Sequence, residues 1–333
     1  MTTLLASSTL NLSSATTQLE AIKASVGYHL DDELHQLAAA TAMHELPLPS
    51  AIARGVSCFI RRDDDIDVFE SGNKRYKLFY NLLFAKNHGY STLASFGGAW
   101  SNHLFALAAA GRRAGFTTHG IIRGERPRQL SGLLADIQQM GMTLHFIDRQ
   151  AYAAKQLPEA LSHENIFVIP EGGNNILGAL GMSAVGRAVS DKWPKADVCL
   201  PVGTGASLAG VAAGLQTKQR ALGFSVLKGE GSLGAEIRQT HDRLATANGS
   251  SRASWALIHG FHGGGYGRKL PSYLVEFLEY CECLWPQLLW DPVYTLKMLW
   301  GVDSLLKQGY WRRGQRLVLV HTGGLQGRRG FGL

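Results

Sequence analysis

The sequence predicts an α/β protein built on largely parallel sheets, and three observations carry that prediction. Short apolar runs of strand length alternate with longer amphipathic or apolar runs of helical length along most of the chain. Five glycine clusters, Gly97-Gly98, Gly172-Gly173, Gly203-Thr204-Gly205, Gly263-Gly264-Gly265 and Gly323-Gly324, each follow a strand-like run. The 333 residues are 45% hydrophobic, enough to bury a sizeable core in two lobes or in one large unit. In a parallel sheet the loops after the strands open on one edge, where ligands bind, so the clusters together read as a lined crevice.

Taken in order, residues 1–45 read as a Ser/Thr-rich leader and then a helix with Leu34, Leu37 and Ala38 on one face. Leu46-Pro47-Leu48-Pro49 breaks it into extended chain, because proline fixes φ and removes an N–H. A strand is expected at 56–61 and a charged turn from Arg61 to Asp65. Leu78, Phe79, Leu82 and Leu83 give 76–87 a helical period, which His88-Gly89 ends. Residues 92–96 read as a buried strand broken by Gly97-Gly98, and Ser101 or Asn102 can cap the nearly all-apolar helix at 101–111. Further strands are expected at 118–122, 143–147, 166–169, 197–202, 225–228, 255–258 and 317–320. Helices fall at 132–139, 151–161, 176–190, 207–218, 234–247, 273–281 and 294–307.

The net charge of +7 raises the question of nucleic acid, but the basic residues are scattered apart from Arg312-Arg313 and Arg328-Arg329, and no nucleic-acid motif is present. An anionic cofactor and substrate account for the charge better. Cys58, Cys199, Cys281 and Cys283 show neither metal spacing nor a disulfide framework, so no metal and a reducing cytoplasm are expected. Residues 1–25 have no basic start and no long apolar run, so neither a signal peptide nor a membrane span is expected.

Gly203-Thr204-Gly205-Ala206-Ser207 lies between a predicted strand and a predicted helix. Small residues let successive N–H groups approach an anion, the helix N-terminus adds its positive end, and Thr204 and Ser207 add hydroxyls. The same run also fits a tight strand–helix turn, or a dinucleotide fingerprint ending at Glu230. Leu208 stands where the third glycine of that fingerprint belongs, so a single phosphate fits better. Lys74 follows Gly72-Asn73, with Lys77 one turn further on. A lone lysine is usually a solvated charge; a pair placed this way can supply one amine for a Schiff base and one cation for phosphate. Ser101 and Asn102 either serve as caps alone or share their loop's free N–H groups with a substrate carboxylate. No Gly-x-Ser-x-Gly elbow is present, which argues against a hydrolase nucleophile.

Ser71-Gly-Asn-Lys-Arg-Tyr-Lys-Leu, with Gly97-Gly-Ala-Trp-Ser-Asn-His, resembles the Gly-Gly-Asn-Lys-x-Arg-Lys-Leu and Gly-Gly-x-x-Ser-Asn pair of one pyridoxal-phosphate family. That family contains 1-aminocyclopropane-1-carboxylate deaminase and D-cysteine desulfhydrase, in the tryptophan-synthase-β-like fold (fold type II). The likeness continues collinearly through Gly203-Thr-Gly-Ala-Ser, Tyr266-Gly267, Asp291-Pro-Val-Tyr-Thr and His321-Thr-Gly-Gly, from about Arg62 to Gly324. It implies pyridoxal 5′-phosphate as cofactor, a small amino acid as substrate, and a homodimer. It further implies two α/β lobes with parallel-rich sheets in both. The large cofactor-binding lobe is 30–76 with 176–333, the smaller inserted lobe is 77–175, and 1–29 is an N-terminal extension.

Position by position, Lys74 is similar to the lysine that carries the cofactor and also acts in catalysis, and Lys77 to a phosphate contact. Asn102 resembles the residue beside the pyridoxal 3′ oxygen, and Ser101 the active-site serine near the substrate carboxylate. Gly203, Thr204, Gly205, Ala206 and Ser207 resemble the phosphate cup, and Tyr266 and Tyr294 the two active-site tyrosines. The deaminases carry Glu after the Asp-Pro-Val-Tyr run and Leu after the final His; here those positions are Thr295 and Thr322, as in desulfhydrases. A hydroxyl near the pyridine nitrogen makes a weaker electron sink than a carboxylate, which suits expulsion of a good β leaving group. The resemblance therefore implies β-elimination from D-cysteine or a related amino acid. The alternatives are the cyclopropane deaminase, a cofactor-binding protein without turnover and, third, a nicotinamide oxidoreductase. Departures from the family pattern are Ser71 for glycine, Arg75-Tyr76 where another residue is followed by Arg, and Trp100 and His103 in the substrate-facing loop.

Overall fold

In the computed structural model, which describes residues 28–162, 165–228, 231–247, 253–266 and 269–333, the strands divide between two sheets. The six-stranded sheet runs in the order β1 (Met43–Glu45), β2 (Ser57–Arg61), β10 (Arg316–Val320), β7 (Asp197–Val202), β8 (Arg220–Ser225), β9 (Ser254–Ile258). The four-stranded sheet runs β5 (Thr143–Ile147), β4 (Thr117–Arg123), β3 (Thr92–Gly97), β6 (Ile166–Ile169). Every pairing is parallel except β1 with β2. Both faces of the central strands are covered: β3 and β7, mainly apolar in sequence, are buried along their whole length.

The helices are α1 (Tyr28–Ala40), α2 (Pro49–Arg54), α3 (Asn73–Asn87), α4 (Asn102–Ala114), α5 (Gly132–Gln139), α6 (Arg149–Ala153), α7 (Ile176–Lys192), α8 (Ala206–Gly214), α9 (Leu233–Ala247), α10 (Ser272–Leu284) and α11 (Thr295–Lys307). The central one is α7, buried nearly all round and packed on α3 and α8. Gly181 lets α7 touch the backbone of α3, since a Cβ there would lie 1.9 Å from the carbonyl oxygen of Tyr76. Gly72 does the same for the start of α3, where a Cβ would lie 1.8 Å from the carbonyl oxygen of Thr322. Both contacts need glycine, and both fix the segment that carries Lys74.

Several expectations are corrected. Helix α3 begins at Asn73, so Lys74 lies in its first turn and not ahead of it; the polar run Asn73-Lys74-Arg75 masked the apolar period. Chain expected to be extended forms α2, with Pro49 in its first turn, where a missing N–H costs nothing. The helix expected at 207–218 stops at Gly214, and the strand expected at 225–228 is β8 at Arg220–Ser225. The helix expected at 151–161 is α6, capped by Asp148, and a separate 3₁₀ turn after Pro158. The five glycine clusters do not share one edge. Gly97-Gly98 and Gly172-Gly173 end strands of the four-stranded sheet, and the other three follow strands of the six-stranded sheet. The two edges face each other, with Gly172 against Thr204 and Gly324 against Asn102.

Candidate active site

The first two turns of α3 carry two lysines between the sheets. Gly72, at φ +69°, opens the helix without a side-chain cap, and Asn73 ties it down. The Asn73 N–H donates to the carbonyl of Thr322 at 3.3 Å, and its Nδ2 donates to Ser207 Oγ at 2.9 Å. Its Oδ1 accepts from Lys74 Nζ at 2.6 Å. Burial pushes the Lys74 ammonium down to about 8, against the opposing pull of Asp291. Lys77 Nζ donates to the carbonyl of Gly172 at 2.9 Å, and burial, aided by the charge of Lys74, drives its pKa well down.

Between them Tyr76 turns into the core. Its hydroxyl receives a hydrogen bond from Arg61 Nη2 at 2.8 Å and donates to Asp63 Oδ1 at 3.1 Å, while Arg61 Nε also donates to Asp63. Arg75 faces outward to Glu70. The departure Arg75-Tyr76 is thus accounted for by a buried network that anchors the lysine turn from behind.

The four-stranded sheet contributes the loop after β3. Ser101 is the N-cap of α4: its Oγ accepts the N–H of Leu104 at 3.2 Å, leaving the hydroxyl hydrogen for another partner. Ser131 Oγ donates to the carbonyl of Ala99 and steadies the loop. Asn102 is the first helical residue, and its Oδ1 is buried without a partner. His103 is 3% exposed, with Nε2 3.0 Å from Ser95 Oγ and Nδ1 unpartnered. Burial lowers its pKa well below the usual value, with Lys74 and Lys77 adding to the effect. It is a neutral ring beneath the loop, next to Lys77, and not a group on the open surface of the cleft.

The six-stranded sheet contributes Gly203 to Ser207, the turn after β7 and the first two residues of α8. Gly205 sits at φ +98°, and a Cβ there would lie 2.8 Å from Ile237. The Ala206 N–H is already taken by Asn174 Oδ1 at 3.1 Å. A Cβ on Gly203 would lie 3.0 Å from the Tyr266 hydroxyl and 3.3 Å from the Tyr294 ring, so the tyrosines wall this loop. Tyr294 donates to Tyr266 at 3.0 Å. Burial raises both phenols, so both keep their protons.

Thr295 is fully buried at the start of α11, and its hydroxyl is engaged in its own turn, accepting from the Asp291 N–H and donating to the Asp291 carbonyl. Thr322 is buried beside Gly72. The polar group with free capacity here is Asp291, fully buried, whose Oδ2 has no partner. Its carboxyl is pushed up to about 7 by burial, against the N–H of Tyr294 and the charge of Lys297. Lys297, itself pushed down to about 8 by burial, donates to the Gly265 carbonyl at 2.7 Å and so holds the glycine loop that ends in Tyr266. Sequence reasoning missed Asp291, Lys297 and Asn73 as site residues. The signal was present in a carboxylate closing the apolar run Leu288-Leu289-Trp290 and a lysine inside Leu296-Lys297-Met298-Leu299. Residues 1–27, Glu230 and Gly267 lie outside the described residues.

Pyridoxal phosphate fits these residues. A helix N-terminus with small residues faces a partly exposed lysine of lowered pKa, and three buried polar atoms lack partners, Asn102 Oδ1, His103 Nδ1 and Asp291 Oδ2. The family profile described as "Pyridoxal-phosphate dependent enzyme" matches residues 38–323. The bifunctional D-cysteine desulfhydrase/1-aminocyclopropane-1-carboxylate deaminase of Arabidopsis thaliana is 28% identical over 313 residues, covering 86% of this chain and 77% of its own. The D-cysteine desulfhydrase of Klebsiella pneumoniae is 27% identical over 317 residues, covering 87% and 93%. A solved structure described as an ACC deaminase homologue superposes with a TM-score of 0.74 at 24% identity, covering 86% of this chain and 90% of that one, which speaks for the fold. A profile match over most of the chain, on top of this geometry, means that the chain belongs to the pyridoxal-phosphate dependent enzyme family.

Proposed function

We propose that the protein is a lyase that removes the β substituent of D-cysteine or a closely related small amino acid, giving a keto acid, ammonia and, from cysteine, sulfide. The observation that carries this reading is Lys74, a lysine of lowered pKa held by Asn73 between the Gly203–Ser207 turn and the Ser101–Asn102 helix start. Bound pyridoxal phosphate supplies an electron sink for a carbanion at Cα.

The protein's own groups do the rest. Lys74 Nζ would hold the cofactor, and its lowered pKa would suit it to take a proton from the substrate's Cα. Ser101 and the N–H groups at the start of α4 hold the substrate carboxylate. Asn102 would hold the pyridoxal ring, and Lys77 with the turn Gly203, Thr204, Gly205, Ala206 and Ser207 would hold the phosphate, with the Ala206 N–H kept by Asn174. Tyr294 and Tyr266, both protonated, can donate hydrogen bonds to the departing thiolate while keeping their protons. Thr295 acts by shaping the turn around Asp291, and Thr322 lies beside the lysine turn. His103 fixes Lys77's surroundings and leaves substrate contact to Ser101, Tyr266 and Tyr294.

Lobes at 30–76 with 176–333 and at 77–175 are part of the proposal, supported by the confinement of the four-stranded sheet to residues 92–169. We place a second copy against α10, whose Tyr273, Tyr280 and Leu284 are exposed. A cytoplasmic setting is supported by four free thiols. Among the described residues no helix is long and apolar enough to cross a membrane. Arg328 and Arg329 pair with Glu282 and Asp136, which argues against a free basic patch for nucleic acid.

The second reading, opening of 1-aminocyclopropane-1-carboxylate, is favoured by the Arabidopsis relative, whose name joins both activities. The test measures keto acid from D-cysteine, L-cysteine, D-serine and 1-aminocyclopropane-1-carboxylate at matched concentrations, with the protein's absorbance recorded alongside. D-cysteine is expected to be the best substrate. Preference for the cyclopropane would establish the second reading, and no turnover despite the cofactor's absorbance would make the protein a binder without catalysis.

A further inference from the structure

Asp291 has no part in the reaction as described above, yet it is the fully buried carboxylate of the cleft. Its Oδ1 accepts the N–H of Tyr294 at 2.5 Å, as suits a residue just ahead of α11. Its Oδ2 is buried with no partner. Asn102 approaches it from the opposite sheet. A Cβ built on Gly324 would lie 2.6 Å from Asn102 Nδ2 and 3.3 Å from Asp291 Oδ2. One built on Gly327 would lie 3.6 Å from Asn102 Oδ1 and 3.8 Å from Asp291 Oδ2. The two side chains therefore border one gap, which exists because positions 324 and 327 lack side chains.

Asn102 Oδ1 is the second buried oxygen there without a partner. Asn102 Nδ2 also borders the gap but bonds neither oxygen; two buried acceptors left without a donor are costly, and a proton on the carboxyl removes the cost. The alternatives for Asn102 follow from the chemistry of the amide. Beside an ionised Asp291, its NH2 would turn to the carboxylate and its oxygen to the cofactor. Beside a neutral Asp291, its oxygen accepts from the acid and its NH2 is left for the cofactor.

The charged and titratable groups around Asp291 are Lys74 on α3, Lys297 on α11, Tyr294 in its own turn and Tyr266 on the loop after β9. Lys74 Nζ is engaged by Asn73, Lys297 Nζ by the Gly265 carbonyl, and the tyrosines by each other. None of them is bonded to Oδ2. With burial dominating, the carboxyl titrates at about 7.

We propose that Asp291 is a positioning residue that works as a neutral acid, donating to Asn102 Oδ1 and so holding the amide with its NH2 toward the cofactor. This rests on the reading of Asn102 as a cofactor contact. The experiment compares the holoenzyme with Asp291→Asn, Asp291→Leu and Asn102→Ala, reading cofactor affinity and the absorbance of bound cofactor from pH 6 to 9. Asparagine offers an NH2 donor at every pH where the acid offers one only when protonated; leucine offers none at similar volume.

The expected result is that wild-type affinity falls as pH rises, while Asp291→Asn stays within about three-fold of the wild-type value at pH 6 and shows no such fall. Asp291→Leu and Asn102→Ala should each lose about ten-fold or more, and the double variant Asp291→Leu with Asn102→Ala should bind no worse than Asn102→Ala alone. An Asp291→Asn protein that is folded by circular dichroism yet binds as poorly as Asp291→Leu would overturn the proposal while leaving the Asn102 assignment intact. An Asn102→Ala protein with unchanged affinity would overturn that assignment and the proposal with it. Should Asp291→Leu not fold, retention of the wild-type pH dependence by Asp291→Asn overturns the proposal by itself.

Discussion

The edge of the four-stranded sheet and the edge of the six-stranded sheet meet the same cleft with different chemistry. From the first come neutral groups: the cap Ser101, the amide of Asn102, the neutral ring of His103 and the carbonyl of Gly172. From the second come charges, Asp291 and Lys297, opposite the Lys74 turn of α3, with titration drawn toward neutrality by burial. The first edge works through helix geometry, which local sequence supplies. The second works through exclusion of water, which only distant segments can provide.

The strongest challenge to this contrast is Lys74→Ala. If the charged side carries the chemistry, activity should fall by at least about a thousand-fold, since Lys74 is proposed as both anchor and base. Intact mass after borohydride reduction should lose the pyridoxyl adduct; an adduct found on Lys77 would move the chemistry to the other lysine.

Next in size is the pH dependence of stability in the cofactor-free protein. Asp291 is raised from 3.8 to about 7, so the folded protein keeps a proton that the unfolded chain has released, and stability falls with rising pH across that window. Lys74 and Lys297 are lowered from 10.5 to about 8, so the folded protein has released protons that the unfolded chain keeps, and stability recovers between about 8 and 10.5. Urea titrations at several pH values should show Asp291→Asn flattening the lower window and, because the carboxylate no longer holds the two lysines up, extending the upper window to lower pH. An unchanged slope in the lower window would take the charge away from this edge.

A smaller effect is expected from Gly205→Ala. The positive φ and the 2.8 Å approach to Ile237 together should cost roughly 1–3 kcal/mol in the cofactor-free protein, measured by chemical denaturation. The Gly203–Ser207 turn is thus shaped by α9, which packs against it. Smallest is Arg329→Ala, which removes the pair with Asp136 that joins the C-terminal turn Leu325–Phe331 to α5. Both side chains are substantially exposed, so a change under about 1 kcal/mol is expected. A larger loss would show that the two edges are coupled through that ion pair.

How much was legible follows the same division. Ser101 as a cap, Lys74 with Lys77 one turn apart on one face, and Gly203 to Ser207 at a helix start all announce themselves by local spacing. Asp291 and Lys297 did not, because a charged residue among apolar ones has no period, and whether it is buried depends on what packs over it. The start of α3 was misplaced for a related reason: Asn73 is held by Thr322 and Ser207, partners far along the chain. Arg61, read as part of a charged turn, is fully buried because Tyr76 and Asp63 satisfy it.

By itself the sequence determined the alternation of strands and helices, the glycine turns after the strands and the lysine pair, which rest on short-range periodicity and backbone sterics; the family pattern was read from its motifs by resemblance. Tertiary structure decided that the glycine turns belong to two facing edges, that Thr295 is engaged within its own turn, and that a buried carboxyl and two lysines titrate near neutrality. Those outcomes depend on water being excluded by segments distant in the chain, and burial of that kind is a property of the packed molecule.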